Sequence, residues 1–346
     1  MTDDPRAVVD AHIHQWDPFT TPRLVSGPAK VIRRAPFLAP LLMRVFPRSA
    51  REFAGDPQYL LNRYLPDDYA ADAAPAPVAA IVHVEAGWQG KRPVDCVDET
   101  RWVAPCRSAR PGCRAWTRSS CTPIRPSRRW LMCSTSICGR VLWCGARGAR
   151  LRTAPTPGIM DFANRPNLLS EPAFLRGFGA VAERGLSFEI WLYGHQLPDA
   201  VTLAGEYPET TFVLNHYATP IGALAPCGRH TGSAAAERKD ILRRWGDDIS
   251  ALAALPNVVA KHSGLGMPVL GFGHLGREEL SDAVAPLITH LGEAFGPQRT
   301  FWSSNYPIDK PNLALPESIW IPREVLGEGF DENLMLRENA RRVYRI

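Results

Sequence analysis

At 346 residues, with 45% hydrophobic and 22% charged side chains, the chain has the composition of a globular protein with a large core, not of a disordered or fibrous one. Met1-Thr2-Asp3-Asp4-Pro5-Arg6 is not a basic stretch leading into an apolar run, and the longest apolar stretch, Phe37 to Met43, is broken by Pro40 and far shorter than the ~20 residues that span a bilayer; a cytoplasmic protein with no membrane partner is expected. The formal charge of +5 comes from eleven arginines between Arg101 and Arg150. The rest of the chain holds 29 basic against 35 acidic residues, so no nucleic-acid partner is expected for the surface as a whole.

The chain opens on Val8-Val9-Asp10-Ala11-His12-Ile13-His14, a β-branched strand running into two histidines at i, i+2. Alternation along a strand points both imidazoles the same way. Such a pair is half of a metal site or of a carbonyl-polarising site; the plain alternative is two solvated loop histidines. A proline-rich excursion over 19–66 follows, with a short apolar helix expected near Phe37–Phe46. An insertion of this length after a first strand reads as a lid-like cover for a site. The stretch Val78–Ala86 is a buried strand closed by Gly87.

The window 103–153 matches neither neighbour. It has no periodicity, no Asp, Glu or Lys from Arg101 to Arg150, and six of the eight cysteines: Cys106, Cys113, Cys121, Cys133, Cys138 and Cys144. None forms a CxxC pair, so a zinc knuckle is not indicated, and a disulfide framework is out of place in a cytosolic chain. Residues 121–145, given G/C-rich codons and read one nucleotide out of register, can read HADPAEPAVADVLDEHLRAGPLVRG, with only the first base of each new codon freely chosen. That peptide has a capping Asp, an amphipathic helical pattern and a Val-Arg-Gly strand start. The reading is of an out-of-frame segment, with the frame restored before Gly158; the alternative is a genuine Arg/Cys-rich, RNA-binding insertion.

Beyond the window, strands and helices alternate. Helices are expected at Glu171–Arg184, closed by Gly185, near Asp199–Glu206, near Lys239–Ala254, near Ser281–Phe295 and at Asn333–Tyr344. Strands are expected at Phe188–Tyr193, Thr211–Asn215, Asn257–Lys261 and Thr300–Ser304. This alternation implies an α/β fold with a parallel sheet, and the length suits one closed (β/α)8 TIM-type barrel domain over 1–346. Strands 3 and 4 of that barrel fall in the anomalous window. No GxGxxG follows the first strand, against a dinucleotide-binding fold.

Chemistry in such a barrel sits at the C-terminal strand ends. Those ends carry His12 and His14, His83 and Glu85, Tyr193 and His195, His216, Ser263, and the run Ser304-Asn305-Tyr306-Pro307-Ile308-Asp309. Strand parity puts His195 on the side of Tyr193, Trp191 and Glu189, an unusually polar side for a barrel core.

The stretches VVDAHIHQWDP, IVHVEAGW, GLSFEIWLYGHQLPDAVTLAGEYPETTFVLNHYATP, NVVAKHSGLGMP and FWSSNYPIDK resemble the amidohydrolase-related family of the metal-dependent hydrolase superfamily, in its lactonase and decarboxylase branch. The resemblance covers most of the chain outside the window and implies a barrel hydrolase acting on a small-molecule lactone or amide-like bond. It implies catalytic roles for His12, His14, His195, His216, Asn305 and Asp309, and substrate contacts from His83, Glu85, Tyr193 and Ser263. Asn305 stands where metal-binding members carry Asp; its amide is a poor metal ligand and no general base. Two mechanisms stay open. In one, His12, His14 and His195 hold a divalent ion, zinc or manganese, that acidifies a bound water; in the other, the histidines polarise a carbonyl and orient water without metal. Asn305 favours a weak or absent metal. A metal-dependent nonoxidative decarboxylase of an aromatic acid is one alternative, and an inactive or binding-only remnant with a disrupted middle is another.

Overall fold

The computed structural model describes residues 7–346 except 75, 91–94, 96, 104–158 and 161–166. All of the anomalous window except Val103 lies outside the described residues. The β-branched opening forms strand β1, Val8–Ile13, paired in parallel with β2, Val78–His83. A second parallel sheet runs in the order β3 (Phe188–Ile190), β4 (Phe212–Leu214), β5 (Val258–His262), β6 (Thr300–Trp302). The two sheets meet just past β6. There Ile13 bridges Tyr306 in parallel, His14 N donates to Tyr306 O at 2.7 Å, and Asn305 N donates to His12 O at 2.9 Å. The result is an arc in the order β2-β1-β6-β5-β4-β3.

A parallel α/β architecture is therefore as expected, but the barrel does not close: among the described residues β2 and β3 each have a strand on one side only. The chain between them is the part that holds 104–158.

Helices cover the outer face of the sheet. Helix α6, Pro172–Ala182, buries Phe174, Phe178 and Val181, one face at helical spacing, and Phe178 packs edge-on to Phe188 at 4.9 Å. Helices α7 (Leu197–Glu206), α8 (Ala235–Ala253) and α9 (Arg277–Phe295) extend the same apolar cluster. Pro172 and Pro198 sit in first turns, where no N–H is missed, and Glu279 caps α9 by accepting from Gly276 N at 3.1 Å. Helix α10, Leu315–Leu326, is absent from the sequence reading because Pro316 and Pro322 read as breakers; Pro316 in fact lies in its first turn. The predicted terminal helix is a π-helical turn, Leu334–Glu338, leading into α11, Asn339–Tyr344.

The excursion over 19–66 is more helical than read, with α1 (Ser26–Arg34), α2 (Ala39–Val45) and α3 (Arg48–Ala54). It brings Phe53 to 5.9 Å from Trp191, just past β3. Helices α4 (Pro66–Ala73) and α5 (Val97–Val103) flank β2 in sequence. No described helix is long and apolar enough to cross a membrane.

On the inner face Val9, Ala11, Val213, Val259 and Phe301 form a small apolar layer, with Ala340 and Tyr344 packed against it. Strand register sets two charged residues in this layer: Glu189 lies beside Val213, and Lys261 beside Phe301.

Candidate active site

Asp10 fixes the geometry from below. It is fully buried; Oδ1 accepts from Ser304 N at 2.9 Å and His12 N at 3.2 Å, and Oδ2 from the Tyr69 hydroxyl at 2.7 Å. It thus ties β1 to the turn after β6. Burial raises its pKa, and these donors oppose the rise.

Above it, His12 and His14 converge as their spacing requires, Nε2 to Nε2 at 3.2 Å. His14 Nδ1 donates to the carbonyls of Val84 and Glu85, each at 3.1 Å. In the neutral ring, Nε2 of His14 is then an acceptor and His12 Nε2 the donor. Burial, with Lys261 and the neighbouring imidazoles of His216 and His14, keeps the His12 pKa well below its ordinary value; burial and His83 lower His14 to about 4. Both rings are neutral at pH 7.

His216 joins the pair, its ring centroid 4.5 Å from that of His12. It begins four successive residues with positive φ, His216 to Thr219, a costly conformation of the kind that collects at functional sites. Ser263 Oγ lies 2.9 Å from its Nδ1. Gly264, at φ +74°, leaves room for the ring: a Cβ there would lie 2.7 Å from His216 Cβ.

Asn305, also at positive φ, completes the cluster. Its Oδ1 lies 3.2 Å from His14 Nε2, and its Nδ2 donates to Asp309 Oδ1 at 2.7 Å. Asp309 Oδ2 accepts from Gly266 N at 3.0 Å. Burial drives the Asp309 pKa up to about 7, against the pull of Gly266 N–H and Asn305. A pKa raised from 3.8 means the folded protein holds this proton more tightly than the unfolded chain. The stabilisation is full below about pH 4 and is lost as pH rises to about 7. Asp309→Asn should therefore flatten the fall in urea-unfolding free energy between pH 5 and pH 8; an unchanged slope in the variant would refute the assignment.

His12, His14, His216, Ser263, Asn305 and Asp309 are thus brought together. Of the other predicted site residues, His83 and Glu85 border His14, the second through its backbone carbonyl, while His195 and Tyr193 lie apart. His195 is exposed, stacks on Tyr193 at 6.3 Å, and lines a cavity of about 510 Å³ with His230, Glu237, Arg244 and Asp248. The Tyr193 hydroxyl is turned to Met160 O at 2.7 Å. His83 is 3.3 Å from Glu99, which also pairs with Arg23 at 2.9 Å. Burial alone would raise Glu99, but His83 and Arg23 hold it down at about 2. The Glu85 side chain accepts from Gly87 N at 2.8 Å, so its carbonyl faces His14 while its carboxylate shapes the loop. The sequence reading missed Asp10 and Lys261. The available signal was a lone lysine inside the apolar strand run Val258-Val259-Ala260.

The donor set does not suit a divalent ion at the histidine pair. Asn305 supplies a neutral amide where a carboxylate would be wanted, His195 is elsewhere, and Lys261 Nζ lies 3.3 Å from His12 Nδ1. A metal-bound His normally donates its other N–H to an acceptor; here the other nitrogen faces an ammonium. Among the described residues no three His, Cys, Asp or Glu side chains converge with metal-binding geometry.

A parallel α/β arc with polar side chains gathered past its strand ends defines a barrel-type protein with a histidine-rich rim. The model of the Amidohydrolase family matches residues 144–346, more than half of the sequence, and the chain belongs to that family. It is 25% identical over 349 residues to an uncharacterised protein of Sinorhizobium fredii, y4mH, covering 98% of this chain and 99% of that protein. It is 28% identical over 170 residues to L-fucono-1,5-lactonase of Burkholderia multivorans, covering 47% of this chain and 51% of the lactonase. Among solved structures, an amidohydrolase of Burkholderia multivorans with bound zinc superposes with a TM-score of 0.61 at 18% identity, over 98% of this chain and 99% of that one.

Proposed function

We propose that the protein hydrolyses a small cyclic ester, a lactone, or a related amide-like bond at the His12–His14–His216 cluster. The observation that carries this reading is the convergence of three imidazoles at one rim, those of His12 and His216 buried and that of His14 half-buried, with the pKa values of His12 and His14 held well below neutrality. Neutral imidazoles can donate an N–H to a carbonyl oxygen or accept a proton from water, and both are needed for acyl transfer to water. In this scheme His12 Nε2–H swings from His14 to the substrate carbonyl and stabilises the oxyanion. His216, with Nδ1 donating to Ser263 Oγ, takes the water proton on Nε2. As the ring opens, that proton passes to the leaving alkoxide, so hydroxy acid is the sole product. The partial similarity to L-fucono-1,5-lactonase supports a lactone over an amide. The aromatic side chain of Trp191 beside His216, with Phe53 packed against it, suits the apolar face of a sugar ring.

The test is a panel of aldono-1,5-lactones and aldono-1,4-lactones, followed by proton release, and of small cyclic amides, followed by appearance of the free amine, each with and without a chelator. Saturable lactone hydrolysis that survives chelation is expected. Turnover that disappears with the chelator and returns with zinc would overturn the metal-independent scheme, and absence of turnover on the whole panel would overturn the hydrolase reading.

A further inference from the structure

The inner layer of the sheet holds a buried polar chain that the proposed chemistry does not itself need. Tyr344, at the end of α11, donates its hydroxyl to Glu189 Oε1. Glu189 Oε2 accepts from Lys261 Nζ at 2.8 Å, and Lys261 Nζ lies 3.3 Å from His12 Nδ1. Glu189 and Lys261 are both 0% exposed, and the Tyr344 ring lies 5.4 Å from the ammonium. Charged residues are rarely placed in an apolar layer unless a partner and a use hold them there.

The use follows from donor and acceptor counts. An ammonium has three donors and no lone pair, so the His12 nitrogen facing it must accept. His12 Nδ1 is then unprotonated, and in the neutral ring the proton sits on Nε2. At the other end, His14 Nδ1 is committed as a donor to two carbonyls, which leaves its Nε2 as the acceptor for that proton. The two ends give the same pattern; Asn305 Oδ1, 3.2 Å from the same His14 nitrogen, shares no hydrogen with it in this assignment.

We propose that Lys261, anchored by Glu189 and Tyr344, is a positioning residue that fixes His12 as its Nε2–H tautomer and thereby commits the histidine pair to N–H donation instead of metal ligation. The inference rests on the proposed role of His12 as a carbonyl-facing donor. It goes further in assigning that role to a strand β5 lysine and the C-terminal tyrosine, and in stating why a pair of this spacing disfavours zinc here.

Two measurements test it without a known substrate, so failure of the lactone panel and failure of this proposal are separable. The first uses the wild-type chain labelled with 15N-histidine. Long-range proton–nitrogen correlation, with His12 assigned by its loss in His12→Asn, should show Nε2 protonated and Nδ1 bare. A protonated Nδ1 would overturn the proposal. The second is zinc affinity by competition with a chromophoric chelator. The paired variant Lys261→Met/Glu189→Gln leaves no unpartnered buried charge, and its zinc affinity at neutral pH should rise at least tenfold over wild type. Tyr344→Phe keeps the ring but lets Glu189 and Lys261 shift, and should raise zinc affinity by a smaller factor. Unchanged affinity in both variants, or stoichiometric tight zinc in the wild type, would overturn it. If the paired variant does not fold, the wild-type spectrum and Tyr344→Phe decide.

Discussion

His12→Asn is expected to lower kcat for lactone hydrolysis by about a thousandfold while leaving KM within a few-fold of wild type. The size comes from the roles assigned: loss of one oxyanion donor costs ~10²–10³ in rate, and general acid–base assistance contributes ~10²–10⁴. Asn is smaller than His, but its amide can still meet Lys261 or His14, so the polar partners are kept. His216→Asn should fall by about 10²–10³ through loss of the base. His195→Ala supplies the contrast: the side chain is exposed and lines a different cavity, and the variant should stay within about threefold of wild type, as surface changes usually do. Circular dichroism and urea unfolding on the same preparations separate loss of chemistry from loss of fold. Equal losses at His12 and His195 would mean that the rim is organised differently from the cluster described above.

That contrast also shows where sequence reasoning reaches its limit. Periodicity reports what repeats, so β1, β2 and the apolar faces of α6, α7 and α9 were legible. So was the pairing of His12 with His14, which needs only strand alternation across two residues. The direction of His195 was not legible because strand β3 ends at Ile190, and the chain has turned into a 3-10 turn, Gly194–Gln196, before the histidine. Alternation carries no information past the last strand residue. Asn305 was recognisable by its place in a motif, but its contact with Asp309 depends on a turn with positive φ that no pattern announces. Lys261 was invisible for a different reason. An isolated charge in a strand reads as surface, and only the partner residue 72 positions away, Glu189, makes it an interior group. Helix α10 was hidden by two prolines, of which Pro316 sits in the first turn where it is tolerated and Pro322 lies inside the helix against the usual rule.

The second large effect is expected from the middle of the chain. We propose that residues within 103–153 are translated out of frame, and that restoring the frame across the interval raises both stability and turnover. In the restored frame, with G/C-rich codons, residues 121–145 can read HADPAEPAVADVLDEHLRAGPLVRG. An out-of-frame segment that supplies no strand between β2 and β3 would leave both with unpaired edges, which forgo backbone hydrogen bonds and invite association with other chains. The restored peptide offers an amphipathic helix and then a strand start, the order of elements that an α/β arc needs between β2 and β3. Each added kcal/mol is worth roughly 2–4 °C in a domain of this size class. Gaining several kcal/mol from one strand–helix–strand unit should therefore lift the melting midpoint by about 10 °C or more. Turnover should rise with it, because the rim gains the side chains of two more strand ends. Size-exclusion chromatography should show less self-association in the corrected chain. Direct resequencing settles the premise: an uninterrupted single frame, with the Arg/Cys-rich peptides found by mass spectrometry of the expressed protein, would remove the out-of-frame reading and leave 103–153 as a true insertion.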